Sequence, residues 1–249
     1  MRPDYLQVAS LTVADHYPGA IGAFVAGSVT RGEATPGSDI DVVVLFDQPF
    51  EDVHRNSVVA DYWPIEFFVH NLQSLSFYMD ADRKRGMCIM PTMVAEGIVI
   101  PEATDRMLLA KDRAHAVIAA GPPALTTADL DFGRYAITDL SDDLRDAAAP
   151  ATRNAVLSHL HERLGDFHLR AGGHWSGYGK ALLRCLKQQH AEFALRFEDS
   201  FAAAFRGQGL TDVYDLVDEV LTPHGGRLWE GYSSAATPDW KEFREEDVD

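Results

Sequence analysis

Short apolar runs separated by turn residues fill the first hundred positions, and helical spacing takes over after them. Residues 4–16 place Leu6, Ala9 and Val13 at helical intervals behind Asp4, a suitable N-cap, and Tyr17-Pro18-Gly19 ends the helix. An apolar strand at 21–26 runs into Gly27-Ser28. Residues 29–34 are expected to make one short helical turn, with N–H groups free to meet an anion. Thr35-Pro36-Gly37-Ser38 reads as a turn, and 39–46 as a strand whose unbroken apolar end fits a buried sheet position. Polar residues 50–57 join it to a second apolar segment, 58–69, in which Pro64 predicts an edge strand or a bulge. Helices at about 72–83 and 87–96 and a short strand at 97–100 complete this part.

From 102 onward the spacing predicts helices at about 102–120, 127–148, 151–171, 179–206 and 211–222. Gly121-Pro122-Pro123, Ala149-Pro150, Gly172-Gly173 and Gly207-Gln208-Gly209 separate them. The expectation is an α+β protein: a small mixed sheet domain at 1–101, then a bundle of antiparallel helices at 102–249. In the polar, acidic stretch 233–249, either Trp240 and Phe243 pack back onto the body or the tail is loose.

Charge narrows the partners. The chain of 249 residues carries a formal net charge of −16. Proteins that track long nucleic acid neutralise several phosphates with Lys and Arg, so this balance speaks against such a substrate; it either suits a small or cationic one or simply maintains solubility. No apolar run approaches the roughly 18 residues that span a membrane. The stretch before Ile21 carries Asp4 and Asp15 and lacks the apolar core of a secretory signal. Cys88 and Cys185 lie far apart and suggest two buried thiols in a reducing cytoplasm.

The candidate chemistry lies where the first two strands meet their turns. In a strand, residues i and i+2 share a face, so Asp39 and Asp41 project side by side. Adjacent carboxylates repel unless a cation sits between them, and hard oxygen ligands suit Mg²⁺ brought in with nucleotide phosphates. Glu66 is the one acid in the run Ile65-Glu66-Phe67-Phe68-Val69. It either faces solvent on an edge strand or faces the same cation as the two aspartates. Arg31 either reaches a phosphate or pairs on the surface with Glu33 or Asp52.

The combination of apolar strand, Gly27-Ser28, Arg31-Gly32, Gly37-Ser38-Asp39-Ile40-Asp41, apolar strand and a later apolar-flanked acid resembles the nucleotidyltransferase superfamily that includes DNA polymerase beta. Within it the chain looks most like small bacterial nucleotidyltransferases, including antibiotic-modifying ones. The resemblance covers roughly the first hundred residues. It implies attack of an acceptor oxygen on the α-phosphorus of ATP or another NTP, assisted by two Mg²⁺ ions. Asp39, Asp41 and Glu66 would be the metal ligands and catalytic acids, with Glu66 either a ligand or the acceptor's base. Gly27, Ser28, Arg31 and Ser38 would cradle phosphates. In two-domain relatives a helical domain supplies further cations, and Lys180, Arg184 and Lys187, spaced along one helix face, look similar; the other reading of this stripe is a solvated face balanced by Glu192 and Asp199. The implied acceptor is a hydroxyl of a small molecule such as an aminoglycoside. Alternatives are a toxin–antitoxin enzyme acting on a protein or tRNA, and a nucleotide-binding regulator without turnover.

Two further patterns stand apart. Asp139, Asp142, Asp143 and Asp146 form an acidic helix face that either holds a polycationic acceptor or is simply solvated. Arg153 and His159 resemble the loose Arg-x(4–6)-His signature of HEPN ribonucleases.

Overall fold

In the computed structural model, which describes residues 2–47 and 49–236, five strands form one sheet: β1 (Gly22–Ala26), β2 (Ile40–Phe46), β3 (His54–Ala60), β4 (Trp63–Asn71) and β5 (Ile98–Ile100). Their order is β3-β4-β2-β1-β5. β2 and β4 run parallel, and the other neighbours are antiparallel, so the sheet is mixed. The fold is α+β. Trp240 and Phe243 lie outside the described residues.

Helix α1 (Tyr5–His16) is capped by Asp4, whose side chain accepts from Gln7 N at 2.9 Å. Its Val8, Ala9 and Val13 bury against Val25, Val42, Val44, Phe67 and Val69 on one face of the sheet. Phe24, Val43 and Leu45 alternate with these and point the other way, toward α2 (Leu72–Lys84) and α3 (Ile89–Glu96). Asp82, buried at the end of α2, accepts from Met90 N at 2.7 Å and so caps α3.

Residues 58–69 are not one interrupted strand. They are most of a hairpin, β3 and β4, reversed at Asp61 and Tyr62, which both take positive φ (46° and 68°). β4 is therefore an inner strand. It tolerates Pro64 because its ladder with β2 begins only at Ile65. The polar residues from His54 onward belong to β3, an edge strand that alternates half-buried and exposed positions. Residues 29–34 form a non-helical turn, in which Glu33 N donates to Ser28 O at 3.0 Å.

Two compact units divide the chain, Met1–Pro123 and Ala124–Asp249. The division falls after α4 (Asp105–Ala120) rather than before it. Lys111 of α4 donates to Ala95 O and Gly97 O, Arg113 holds Asp80 through both carboxylate oxygens, and Met107, Ala110 and Ala114 are buried.

The second unit contains α5 (Thr127–Asp146), α6 (Pro150–Ala171), α7 (Lys180–Gln189), α8 (Ala191–Phe205) and α9 (Thr211–Leu221). Its core gathers Ile137, Leu144, Leu160, Leu164, Phe197, Phe201 and Leu216. The single helix expected at 179–206 is two. The chain breaks at His190 (φ −144°, ψ 67°), and α8 folds back against α7. Beyond α9, Arg134 of α5 donates to Gly225 O and Gly226 O, and Tyr135 stacks on Tyr232 with ring centroids 4.1 Å apart.

Candidate active site

The register of the sheet assembles the candidate acids. Asp41 lies opposite Ala26 of β1 on one side and opposite Glu66 of β4 on the other. Because Val42 and Phe67 face α1, their predecessors Asp41 and Glu66 face away from it, side by side. Asp39, just before β2, joins them. One carboxylate oxygen from each of Asp39, Asp41 and Glu66 lies within 4.8 Å of the others, and all three residues are half-buried. Among the described residues this is the one such group of potential metal ligands. Three anionic oxygens converging from strand ends fit a hard divalent cation, and they can hold one.

The two turns behind the acids are tied together. Ser28 Oγ donates to Ser38 Oγ at 3.1 Å, and Ser38 Oγ also accepts from Thr35 N at 2.8 Å. Thr30 Oγ1 donates to Gly27 O at 3.0 Å. Gly27 has φ +90°, and a Cβ there would overlap the Asp41 carboxylate. In a phosphate cradle a glycine here lets the backbone come close to the anion. The structure adds a nearer cause, room for the Asp41 side chain itself. Arg31 pairs with Glu33 at 3.0 Å, one of its two surface pairings foreseen.

Two groups at this site, Arg55 and Arg2, were not foreseen. Arg55 of β3 reaches across the hairpin and grips Glu66, Nε to Oε1 at 2.6 Å and Nη2 to Oε2. Its guanidinium lies over the Phe68 ring, 4.8 Å from the centroid. Glu66 above all, then Asp41 and Asp39, hold the Arg55 pKa above its ordinary value. Arg2 donates to Ser38 O at 3.1 Å and stacks over Trp63, and Trp63 Nε1 donates to Pro3 O. The segment before α1 thus braces the turn that carries Ser38. On the same face of β4, two residues beyond Phe68, lies His70. Burial, with a small contribution from His54, pushes its pKa down to about 4, so its imidazole is neutral at pH 7.

An open pocket of about 300 Å³ adjoins the acids, walled by Asp39, Glu66, Ser57, Val58, Val59, Pro64 and Ile65. A larger one, about 490 Å³, lies at the other end of the strands, among Tyr17, Phe46, Phe50 and His54. It contains none of the candidate acids.

In the helical unit, Lys180 is exposed, Arg184 is half-buried, and Lys187 pairs with Glu198 of α8 at 2.7 Å. Lys187 is therefore engaged within its own unit, where the reversal at His190 brings α8 alongside. His159 is exposed and Arg153 half-buried on α6.

Residues 10–77, which hold all three acids and both turns, match the model of the nucleotidyltransferase domain family. No curated protein matches the chain. Among solved structures, a nucleotidyltransferase-like protein from Exiguobacterium sibiricum is similar at 13% identity and a TM-score of 0.42, over 88% of this chain and 76% of that one. Among the described residues, no helix is long and apolar enough to cross a membrane.

Proposed function

We propose, from the match of residues 10–77 to the nucleotidyltransferase domain model, that this protein transfers a nucleoside monophosphate, AMP from ATP, to a hydroxyl group of a small acceptor with Mg²⁺. The observation that supports this most is the convergence of Asp39, Asp41 and Glu66 beside the Gly27-Ser28 turn. When bound, divalent ions supply charge neutralisation on the phosphates and orientation of the attacking and leaving oxygens.

The chain's own residues do the rest. Asp39 and Asp41 would hold the ions. The Ser28 hydroxyl and the N–H groups after Gly27 receive the outer phosphates, and the Ser38 contact sets the Ser28 rotamer beforehand. Glu66 lines the pocket with Val58, Val59 and Pro64, so we assign it to the acceptor side, where it would hold an ion or take the hydroxyl proton. A net charge of −16 favours a cationic acceptor, and aminoglycosides carry both the charge and the hydroxyls.

The test is incubation with Mg²⁺, α-labelled ATP and a panel of aminoglycosides. Pyrophosphate release with a labelled small product is expected, and both should vanish in Asp39→Asn and Asp41→Asn. Turnover unchanged in these variants would remove the acids from the reaction. Label appearing only on protein or RNA in a lysate would assign a macromolecular acceptor.

A further inference from the structure

Arg55 has no part in the reaction as described, yet both carboxylate oxygens of Glu66 are committed to it. A guanidinium fork on a carboxylate is a strong, oriented pair. A cation that ligates Glu66 must displace that fork or share its oxygens. Asp41 and Asp39 act on the same guanidinium, so its charge is felt by the whole group and not by Glu66 alone. The side chain is also free to leave. Arg55 is 62% exposed, while Glu66 is only 21% exposed, so the acid stays in place and the arginine is the partner that can swing away.

Resting on the proposed metal site, we propose that Arg55 is an internal counter-ion that stands in for the cation at Glu66 and holds down the affinity of the nucleotide-free protein for divalent metal. Three carboxylates this close would otherwise draw metal from solution on their own. With Arg55 present, part of their charge is already met. A nucleotide brings several negative charges with its metal, which makes a second cation at the acids favourable and offers the guanidinium another anion. Metal loading is then coupled to nucleotide arrival. The coupling is a difference in affinity between two states of one side chain, and so it is measurable.

The experiment titrates Mn²⁺, read by electron paramagnetic resonance at low salt, into the whole protein, with and without a non-hydrolysable ATP analogue. Removing one positive charge a few ångströms from a divalent ion is worth about tenfold in affinity. Arg55→Gln without nucleotide should therefore bind Mn²⁺ about tenfold more tightly than wild type. Arg55→Lys, which keeps the charge, should stay near wild type. With the analogue bound, the gap between wild type and Arg55→Gln should close. Arg55→Gln binding no more tightly than wild type overturns the proposal, as does equal tightening in Arg55→Lys. Asp39→Asn and Asp41→Asn form the separate arm. If they leave Mn²⁺ binding intact, the metal site itself is wrong. If they abolish it while Arg55→Gln matches wild type, only the role of Arg55 fails.

Discussion

Each unit of the molecule carries a group of acids, and the two groups differ in how the backbone presents them. Asp39, Asp41 and Glu66 come from two parallel strands and a turn, and their oxygens meet within 4.8 Å. Asp139, Asp142, Asp143 and Asp146 follow one another along α5, where helical geometry spreads them, and Asp142 pairs with Arg145 at 2.8 Å. The first arrangement accumulates charge that invites a ligand. The second disperses it to water and a neighbouring cation. Acid content alone does not distinguish a candidate site from a helix face that simply carries acids. Convergence does.

The sharpest way to break this contrast is to neutralise each group in turn. Asp39→Asn with Asp41→Asn should lower nucleotidyl transfer by at least about a thousandfold, the scale of losing metal-assisted charge stabilisation. Radiolabel transfer measures it, and a loss of only a few fold would mean convergence is not what matters.

Next in size is Gly27. Alanine there drives a Cβ into the Asp41 carboxylate at a φ of +90°. Displacing one acid by a fraction of its length should cost about a hundredfold in turnover. A Gly27→Ala crystal structure should show Asp41 rotated away from Asp39 and Glu66. Turnover close to wild type would show that the position of Asp41 is not critical.

Gly133 is the counterpart in the helical unit. A Cβ there would overlap the ring of Phe167, where α5 meets α6. Gly133→Ala should destabilise the protein by about 1–3 kcal/mol through overpacking. Denaturant unfolding reads this directly. Two glycines thus serve different ends, one making room for a reacting group and the other for core packing.

The smallest effect belongs to α5. Asp142→Asn and Asp143→Asn together should change stability by no more than about 0.5 kcal/mol, because the Arg145 pair is exposed. Transfer to a cationic acceptor should stay within about twofold, a surface substitution of this kind having little to act on. A large rise in KM for an aminoglycoside would instead make this face a binding surface.

What could be read from the chain follows the same division. Asp39 and Asp41 were legible because a period of two and a preceding Gly-Ser turn are local patterns. Glu66 was legible as an acid in an apolar run, though only the parallel register set it beside Asp41. Arg55 was not. Its partner is eleven residues away across a hairpin whose turn, Asp61-Tyr62, lacks the Asn-Gly or Asp-Gly signal of such turns. The break at His190 was hidden for a related reason. Apolar spacing runs through it without a Gly or Pro, and only the packing of α8 on α7 reverses the chain there. Positions fixed by neighbours in sequence were visible, and those fixed by neighbours in space were not.

The parallel pairing of β2 with β4 also bears on how ligand binding and folding are linked. No single segment of the chain holds Asp41 and Glu66 together. The group exists only when β4 has docked beside β2. An unfolded chain has little affinity for whatever the folded site binds, so a ligand stabilises the native state by mass action. At a hundred times its Kd the gain is about 2.7 kcal/mol. Mn²⁺ with a non-hydrolysable ATP analogue should therefore raise the Tm of the wild-type protein, and Asp39→Asn with Asp41→Asn should remove most of that rise. Melting in the presence of ligand would report on the site without any knowledge of the acceptor.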